Sequence, residues 1–252
     1  MHANAFDQLA RLESDHWWFR GRRAVYLDVL RGALRSKPRM ALDLGTGSGG
    51  WLPALSELAE RVVAVEPDAE VAALARGRGG AQVIVAGATQ LPFADDVCEL
   101  VTAFDVLEHL EDDLGALREV RRVLAPGGIL ALSVPAHPWL YSNNDRISHH
   151  QRRYTRRALR ERAMSAGFVI ERSSYANALL FPLIAPAVLG MKAIEKLGLL
   201  GSQPEHTNLS FIPPAALNSL CYGAFAAERH LSKRFDLPFG HSLIAMLRAL
   251  KS

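Results

Sequence analysis

The chain has 252 residues, 49% apolar and 22% charged, with a formal net charge of +3. These values exclude a disordered chain and allow one sizeable core. Two cysteines, Cys98 and Cys221, exclude a disulfide framework or a cysteine-rich zinc module. Asp7, Glu13 and Asp15 interrupt the N-terminal stretch, so no signal peptide is read there. The most apolar stretch, from Ala178 to Met191, is too short to span a bilayer. The expectation is a soluble, cytoplasmic protein with no specific nucleic-acid partner.

Residues 3–34 read as helical, with Ala24, Leu27, Leu30 and Leu34 recurring at helical spacing. Pro38 interrupts. The apolar run Arg39–Leu44 then ends in Gly45-Thr46-Gly47-Ser48-Gly49-Gly50. Trp51–Glu60 has helical periodicity, and the β-branched run Arg61–Val65 leads into Glu66-Pro67-Asp68. Ala69–Gly77 is again helical, while Gln82–Val85 and Leu100–Phe104 read as strands. Leu114–Leu124 predicts an amphipathic helix stopped by Pro126-Gly127-Gly128, before a buried strand at Ile129–Val134. Leu159–Gly167 ends a basic helix, and Phe168–Ser173 reads as a strand. Residues 176–236 hold apolar runs and prolines with little alternation, which predicts a helical insert before the final strand, Ser242–Leu247. The fold class is therefore α/β, a doubly wound parallel sheet with helices on both faces. In such sheets ligands bind at the carboxyl ends of the strands, where Asp43, Glu66 and Asp105 fall.

The glycine loop follows a strand and opens a helix, where backbone can approach a ligand closely. Its spacing is G-x-G-x-G rather than the G-x-G-x-x-G of dinucleotide sites. Asp43 lies two residues before the first glycine, and Glu66 ends the next strand. Together with Leu91-Pro92-Phe93, Phe104-Asp105-Val106-Leu107-Glu108-His109-Leu110 and Leu124-Ala125-Pro126-Gly127-Gly128, this order resembles the class I S-adenosylmethionine-dependent methyltransferases. The flanks His16-Trp17-Trp18-Phe19-Arg20 and His150-Gln151-Arg152-Arg153-Tyr154 are similar to a bacterial subgroup of that superfamily. The resemblance implies a Rossmann-like seven-stranded sheet and S-adenosyl-L-methionine as cofactor. It places Gly45, Thr46, Gly47 and Gly49 at the cofactor's methionine end, ordered by Asp43. It places Glu66 on the ribose diol and Pro67 beside the adenine, with Ala88, Thr89, Asp105 and Val106 completing the set. Gly87 stands where the family often has an adenine-binding Asp, so the backbone of Ala88 or the side chain of Gln90 is expected to replace that contact.

An acceptor hydroxyl needs its proton removed during methyl transfer, commonly by His, Asp or Glu. His109 follows Glu108 after the fourth strand and reads as a general base, half of a metal site, or a loop-ordering residue. Asp105-x-x-Glu108-His109 resembles the Glu-x-x-Glu-His pattern of ubiquinone-pathway O-methyltransferases, some of which need a divalent ion. Only two carboxylates are evident, so no metal is expected. His137 and Tyr141 follow the fifth strand, and His150 lies in the next polar loop. The expected catalytic set is His109, His137, Tyr141 and His150. Residues 145–162 hold seven arginines, read either as a solvated face or as a site for an anionic partner.

One methyltransferase domain is expected over 1–252. It divides into an N-terminal helical cap (1–37), a cofactor-binding core (38–175), a helical insert or lid (176–236) and a final strand (237–252). The expected function is methyl transfer to a small or lipid-like hydrophobic acceptor, first at oxygen. That acceptor could carry a phosphate, and the protein could touch a membrane peripherally. The alternative is a non-catalytic member that binds cofactor or a partner. The insert, with Trp17 and Trp18, is expected to enclose an apolar pocket beside His137 and Tyr141.

Overall fold

The computed structural model describes residues 11–197 and 211–250. Positions 3–10 of the expected first helix and 198–210 of the insert lie outside them. The elements are α1 (Trp17–Ala33), β1 (Met40–Leu44), α2 (Leu52–Leu58), β2 (Arg61–Glu66), α3 (Ala69–Ala75), β3 (Gln82–Val85) and β4 (Cys98–Phe104). Then follow α4 (Asp113–Val123), β5 (Leu124–Pro135), α5 (Asn143–Ile147), α6 (Arg156–Ser165), β6 (Phe168–Ala176), α7 (Phe181–Lys196), α8 (Ala215–Ser232) and β7 (Ser242–Ala249). The sheet is seven-stranded, in the order β3-β2-β1-β4-β5-β7-β6.

Strands β1 to β5 are parallel, and β7 runs antiparallel between β5 and β6. The expectation of a wholly parallel sheet is therefore corrected at its last strand. β7 is buried along nearly its whole length. Burial on both faces demands an apolar run whichever way a strand points, so the run carries no direction. Direction comes from the connection. Ala176 at the end of β6 faces Ser242 at the start of β7, and Ser242 also faces Pro135 at the end of β5. The insert thus leaves and returns at one point on the carboxyl edge of the parallel strands.

Side chains alternate across the sheet into two cores. Leu42, Leu44, Leu130, Leu132 and Val134 join Leu117, Val120 and Leu159 of α4 and α6 on one face. Ala41, Ile129 and Ala131 join Val25, Tyr26 and Leu30 of α1, Leu52 and Leu55 of α2, and Phe225 of α8 on the other. β5 starts at Leu124, with a register slip after Cys98↔Leu124. The Pro-Gly-Gly segment is therefore part of an irregular strand rather than a gap after α4. Glu119 and Arg122 of α4 turn inward to hold the Leu91-Pro92-Phe93 turn, accepting from the Leu91 N–H and donating to the Leu91 and Phe93 carbonyls.

The N-terminal helix is tied to the insert. Asn218 of α8 accepts from the Trp17 N–H at 2.8 Å and donates to the Asp15 carbonyl at 2.8 Å. Glu228, fully buried, accepts from the Leu179 N–H at 2.8 Å and anchors the start of the insert. At the α1–α8 crossing, a Cβ on Gly21 would lie 2.6 Å from the Phe225 ring and 2.8 Å from its Cβ. A side chain there forces the helices apart. Gly21→Val should lower stability by about 1–3 kcal/mol, measured by urea unfolding at unchanged m-value.

Candidate active site

The carboxyl edge of the sheet carries a cavity of about 400 Å³. Gly45, Thr46 and Gly47 line it after β1, Asp105 and His109 after β4, and His150 and Arg153 beyond β5. Trp17, Trp18 and Phe19 of α1 and Ile184 and Val188 of α7 supply apolar walls. The expected cap and insert therefore both reach the site.

The glycine loop is built by contact and by backbone shape. Its amides at Gly45 and Thr46 donate to the Val65 carbonyl at 2.8 and 3.1 Å. Gly45 has φ +65°, and a Cβ there would meet Val106 at 2.7 Å. Gly47 has φ +56° and no atom within 4 Å of an added Cβ, so its open side faces the cavity. Gly49 packs against Ala75 and Leu52 and lies outside the lining. Beneath the loop, buried Asp43 accepts from the Thr102 hydroxyl at 2.6 Å. Burial raises its carboxyl to about 6, opposed by that hydrogen bond.

Glu66 is buried, and its oxygens accept from the Gly47 N–H at 3.0 Å and the Asp68 N–H at 3.3 Å. Each carboxylate oxygen retains acceptor capacity beyond that one bond. Pro67 is exposed at the next position, and the 86–90 turn joins the same end of the sheet through the Ala86 N–H and the Glu66 carbonyl. Ala88 is half-buried and Thr89 exposed on that turn, and an added Cβ on Gly87 would meet open space.

Asp105 has φ +57°, accepts from the Ser133 hydroxyl at 2.7 Å and pairs with Arg22 of α1. Arg22 is buried between the Phe19 and Trp51 rings, at 5.5 and 5.7 Å. Glu108 is fully buried, with no hydrogen-bond partner at either carboxylate oxygen. Burial pushes its carboxyl up to about 8, against the opposing charges of Arg22 and Arg153. Burial likewise lowers His109 to about 4, reinforced by His150.

His150 Nδ1 lies 2.9 Å from Asp145 Oδ1, and Arg153 Nε donates to the same oxygen at 2.7 Å. Burial opposes ionisation of Asp145, but the bonds from His150 and Arg153 hold its carboxyl well below the usual range. An ionised Asp145 fixes the proton of His150 on Nδ1, leaving Nε2 as the nitrogen able to accept one. The His109 and His150 rings meet edge-on at 4.8 Å.

Two expected catalytic residues are placed elsewhere. His137 has φ +62°, its ring stacks on Tyr175 at 5.2 Å, and its Nε2 donates to the Gly240 carbonyl at 3.0 Å. The positive φ turns the ring away, so it does not line the cavity. Tyr141 also stays outside the lining, its hydroxyl donating to the His150 carbonyl at 2.7 Å. It supports the loop that carries His150. The pocket thus sits beside His109 and His150, not beside His137 and Tyr141.

Most of the arginine segment is internally paired. Arg146 meets Glu195, Arg152 and Arg162 meet Asp113, Arg153 meets Asp145, and Arg157 meets Glu161. Several ionisable lining residues were not in the expected site, among them Glu13, Arg22, Asp145, Arg153 and His241. Their proximity arises from tertiary packing and has no spacing signature. Glu108, His109 and His150 bring one ligand atom each within 4.8 Å of one another.

Residues 42–132 match the methyltransferase domain family. The chain is 31% identical over 163 residues to a probable S-adenosylmethionine-dependent methyltransferase of Mycolicibacterium smegmatis, covering 64% of this chain and 62% of that one. It is 33% identical over 129 residues to a demethylmenaquinone methyltransferase of Geobacillus kaustophilus, covering 45% and 53%. In both cases the chain spans less than two thirds of the relative's length. A putative methyltransferase of Bacillus halodurans superposes with a TM-score of 0.59 at 19% identity, covering 89% of this chain and 97% of that one. The glycine loop, Glu66 and the Asp105–His109 turn all lie within the matched region, so residues 42–132 form a methyltransferase domain similar to those of S-adenosylmethionine-dependent methyltransferases.

Proposed function

We propose that the protein transfers the methyl group of S-adenosylmethionine to an oxygen of a small or lipid-like hydrophobic acceptor. The observation that carries this reading is one cavity joining the open side of Gly47 to His150, with apolar walls from α1 and α7. The residues fit the cofactor: Gly47 leaves room where any side chain would intrude, and Glu66 keeps lone pairs beyond its two backbone donors. Gly45, Thr46 and Gly47 would hold its methionine end, with Asp43 ordering them from below. Glu66 would hold the ribose diol, and Pro67 with the backbone at Ala88 and Thr89 would flank the adenine. When bound, S-adenosylmethionine supplies a methyl group already activated on a sulfonium.

The chain's own groups then position and deprotonate. Trp17, Trp18, Ile184 and Val188 exclude water from the reacting atoms. His150 Nε2 takes the acceptor's hydroxyl proton, while Asp145 holds the ring in the required tautomer. Glu108, protonated at neutral pH, can donate a hydrogen bond to an acceptor oxygen. The relative that acts on demethylmenaquinone supports a lipid-like acceptor class.

Glu66→Ala should weaken S-adenosylhomocysteine binding at least about tenfold in calorimetry, since two charge-assisted bonds are lost. Unchanged affinity would remove Glu66 from the site. His150→Ala should lower methyl transfer from tritiated cofactor into a lipid extract by about 10²–10⁴-fold, and Asp145→Asn by a smaller factor. Both should leave homocysteine-adduct affinity near that of the parent. Wild-type turnover by His150→Ala would exclude it as the base.

Glu108 makes a pH prediction. Its folded carboxyl is raised from 4.5 to about 8, so the folded state keeps a proton that the unfolded chain releases. Stability from this group is complete at low pH and is lost as pH rises from about 5 to about 8. Glu108→Gln should flatten that fall in thermal midpoint, with the variant gaining on the parent at pH 8 and not at pH 5.

A further inference from the structure

Helix α7 has its polarity inverted. A surface helix ordinarily turns its charges outward and its apolar stripe inward. Here Lys192 and Glu195 are half-buried and serve as tethers, Lys192 Nζ donating to the Trp139 carbonyl at 2.7 Å and Glu195 pairing with Arg146. The exposed positions are apolar instead: Leu183 is 72% exposed and Leu197, just past the helix, 71%, with Leu189, Met191 and Ile194 exposed between them. Lys196 is the one charged residue among the exposed positions of the helix.

We propose that this outward face of α7 seats the protein on an anionic lipid surface. Three observations favour lipid over a second protein. First, protein interfaces carry about one hydrogen bond per 100–200 Å², and this face offers almost no polar group to make one, whereas acyl chains require none. Second, exposed aromatic rings flank the foot of the helix. The Trp139 and Phe239 rings lie 6.4 and 6.2 Å from the Phe181 ring and are 49% and 46% exposed. A tryptophan settles at the headgroup boundary, and a phenylalanine beside it adds apolar surface to the inserted face. Third, the charges on α7 and tied to it are mainly cationic, with Lys192, Lys196 and Arg146 against Glu195, which suits anionic headgroups. No described helix is long and apolar enough to cross a membrane, so the contact is an interfacial one.

The inner side of the same helix lines the cavity through Ile184 and Val188. On the proposed function, and resting on it, a membrane-dissolved acceptor would reach the site along α7 without crossing water.

The test is flotation of the full chain with phosphatidylcholine vesicles with and without phosphatidylglycerol. The protein should partition at least about tenfold more strongly onto the anionic vesicles, and less so in high salt. Leu189→Glu combined with Ile194→Glu should lower that partition at least about tenfold, because charge is added to the face that meets the acyl chains. Both positions are exposed and outside the cavity, so thermal midpoint and S-adenosylhomocysteine affinity should not change. Absence of partition onto either vesicle, or parental partition by the double variant, overturns the proposal. So does a concentration-dependent dimer dispersed by the same two substitutions, which would assign the face to a second copy. Flotation without any cofactor binding by the parent would leave the lipid surface standing and sink the methyl-transfer reading.

Discussion

The site depends on the ion pair between Arg22 and Asp105. Asp105 sits just past β4 in a left-handed backbone conformation, held by Ser133 from β5. Arg22 comes from α1, a helix outside the matched methyltransferase region. The pair lays that helix across the carboxyl edge and puts Trp17, Trp18 and Phe19 over the glycine loop. The guanidinium is buried, so losing the carboxylate would leave an uncompensated charge between aromatic rings. Without this contact the edge of the sheet is a shelf. With it, the shelf becomes a chamber.

Inside that chamber two neighbouring acids take opposite states. Asp145 has two charged or polar donors on one oxygen and the Ser142 N–H on the other, so it stays ionised despite burial. Glu108 has no donor from any other residue and keeps its proton. The ionised Asp145 itself raises Glu108 further. One site thereby holds both an ionised acid that fixes a histidine tautomer and a neutral acid, a division set by donors rather than by residue type.

Much of the fold was legible because helices separate β1, β2 and β3, and again β4 and β5, and because the strands end in diagnostic residues. The glycine loop, Asp43 and Glu66 occupy the expected places at strand ends. The direction of β7 was not legible, because burial on both faces erases periodicity. Arg22 was hidden in the run Arg20-Gly21-Arg22-Arg23, where only the packing of α1 decides which guanidinium turns inward. Asp145 was hidden as an acid among arginines, since its value lies in the turn that brings it to His150. His137 misled for a local reason: it stands at the right strand end, but a left-handed backbone conformation and a stacked tyrosine turn it aside.

The pairing of Ala176 and Ser242 has a consequence for how this chain can vary. The insert starts and ends on adjacent strands, so its ends are already held together by sheet hydrogen bonds. Lengthening or replacing such an excursion costs closure entropy that grows only with the logarithm of its length, about 0.6 kcal/mol per doubling. The strands that carry the glycine loop and Glu66 bear none of that strain. The insert can therefore change length at small entropic cost, provided that the Asn218 and Phe225 contacts with α1 are kept.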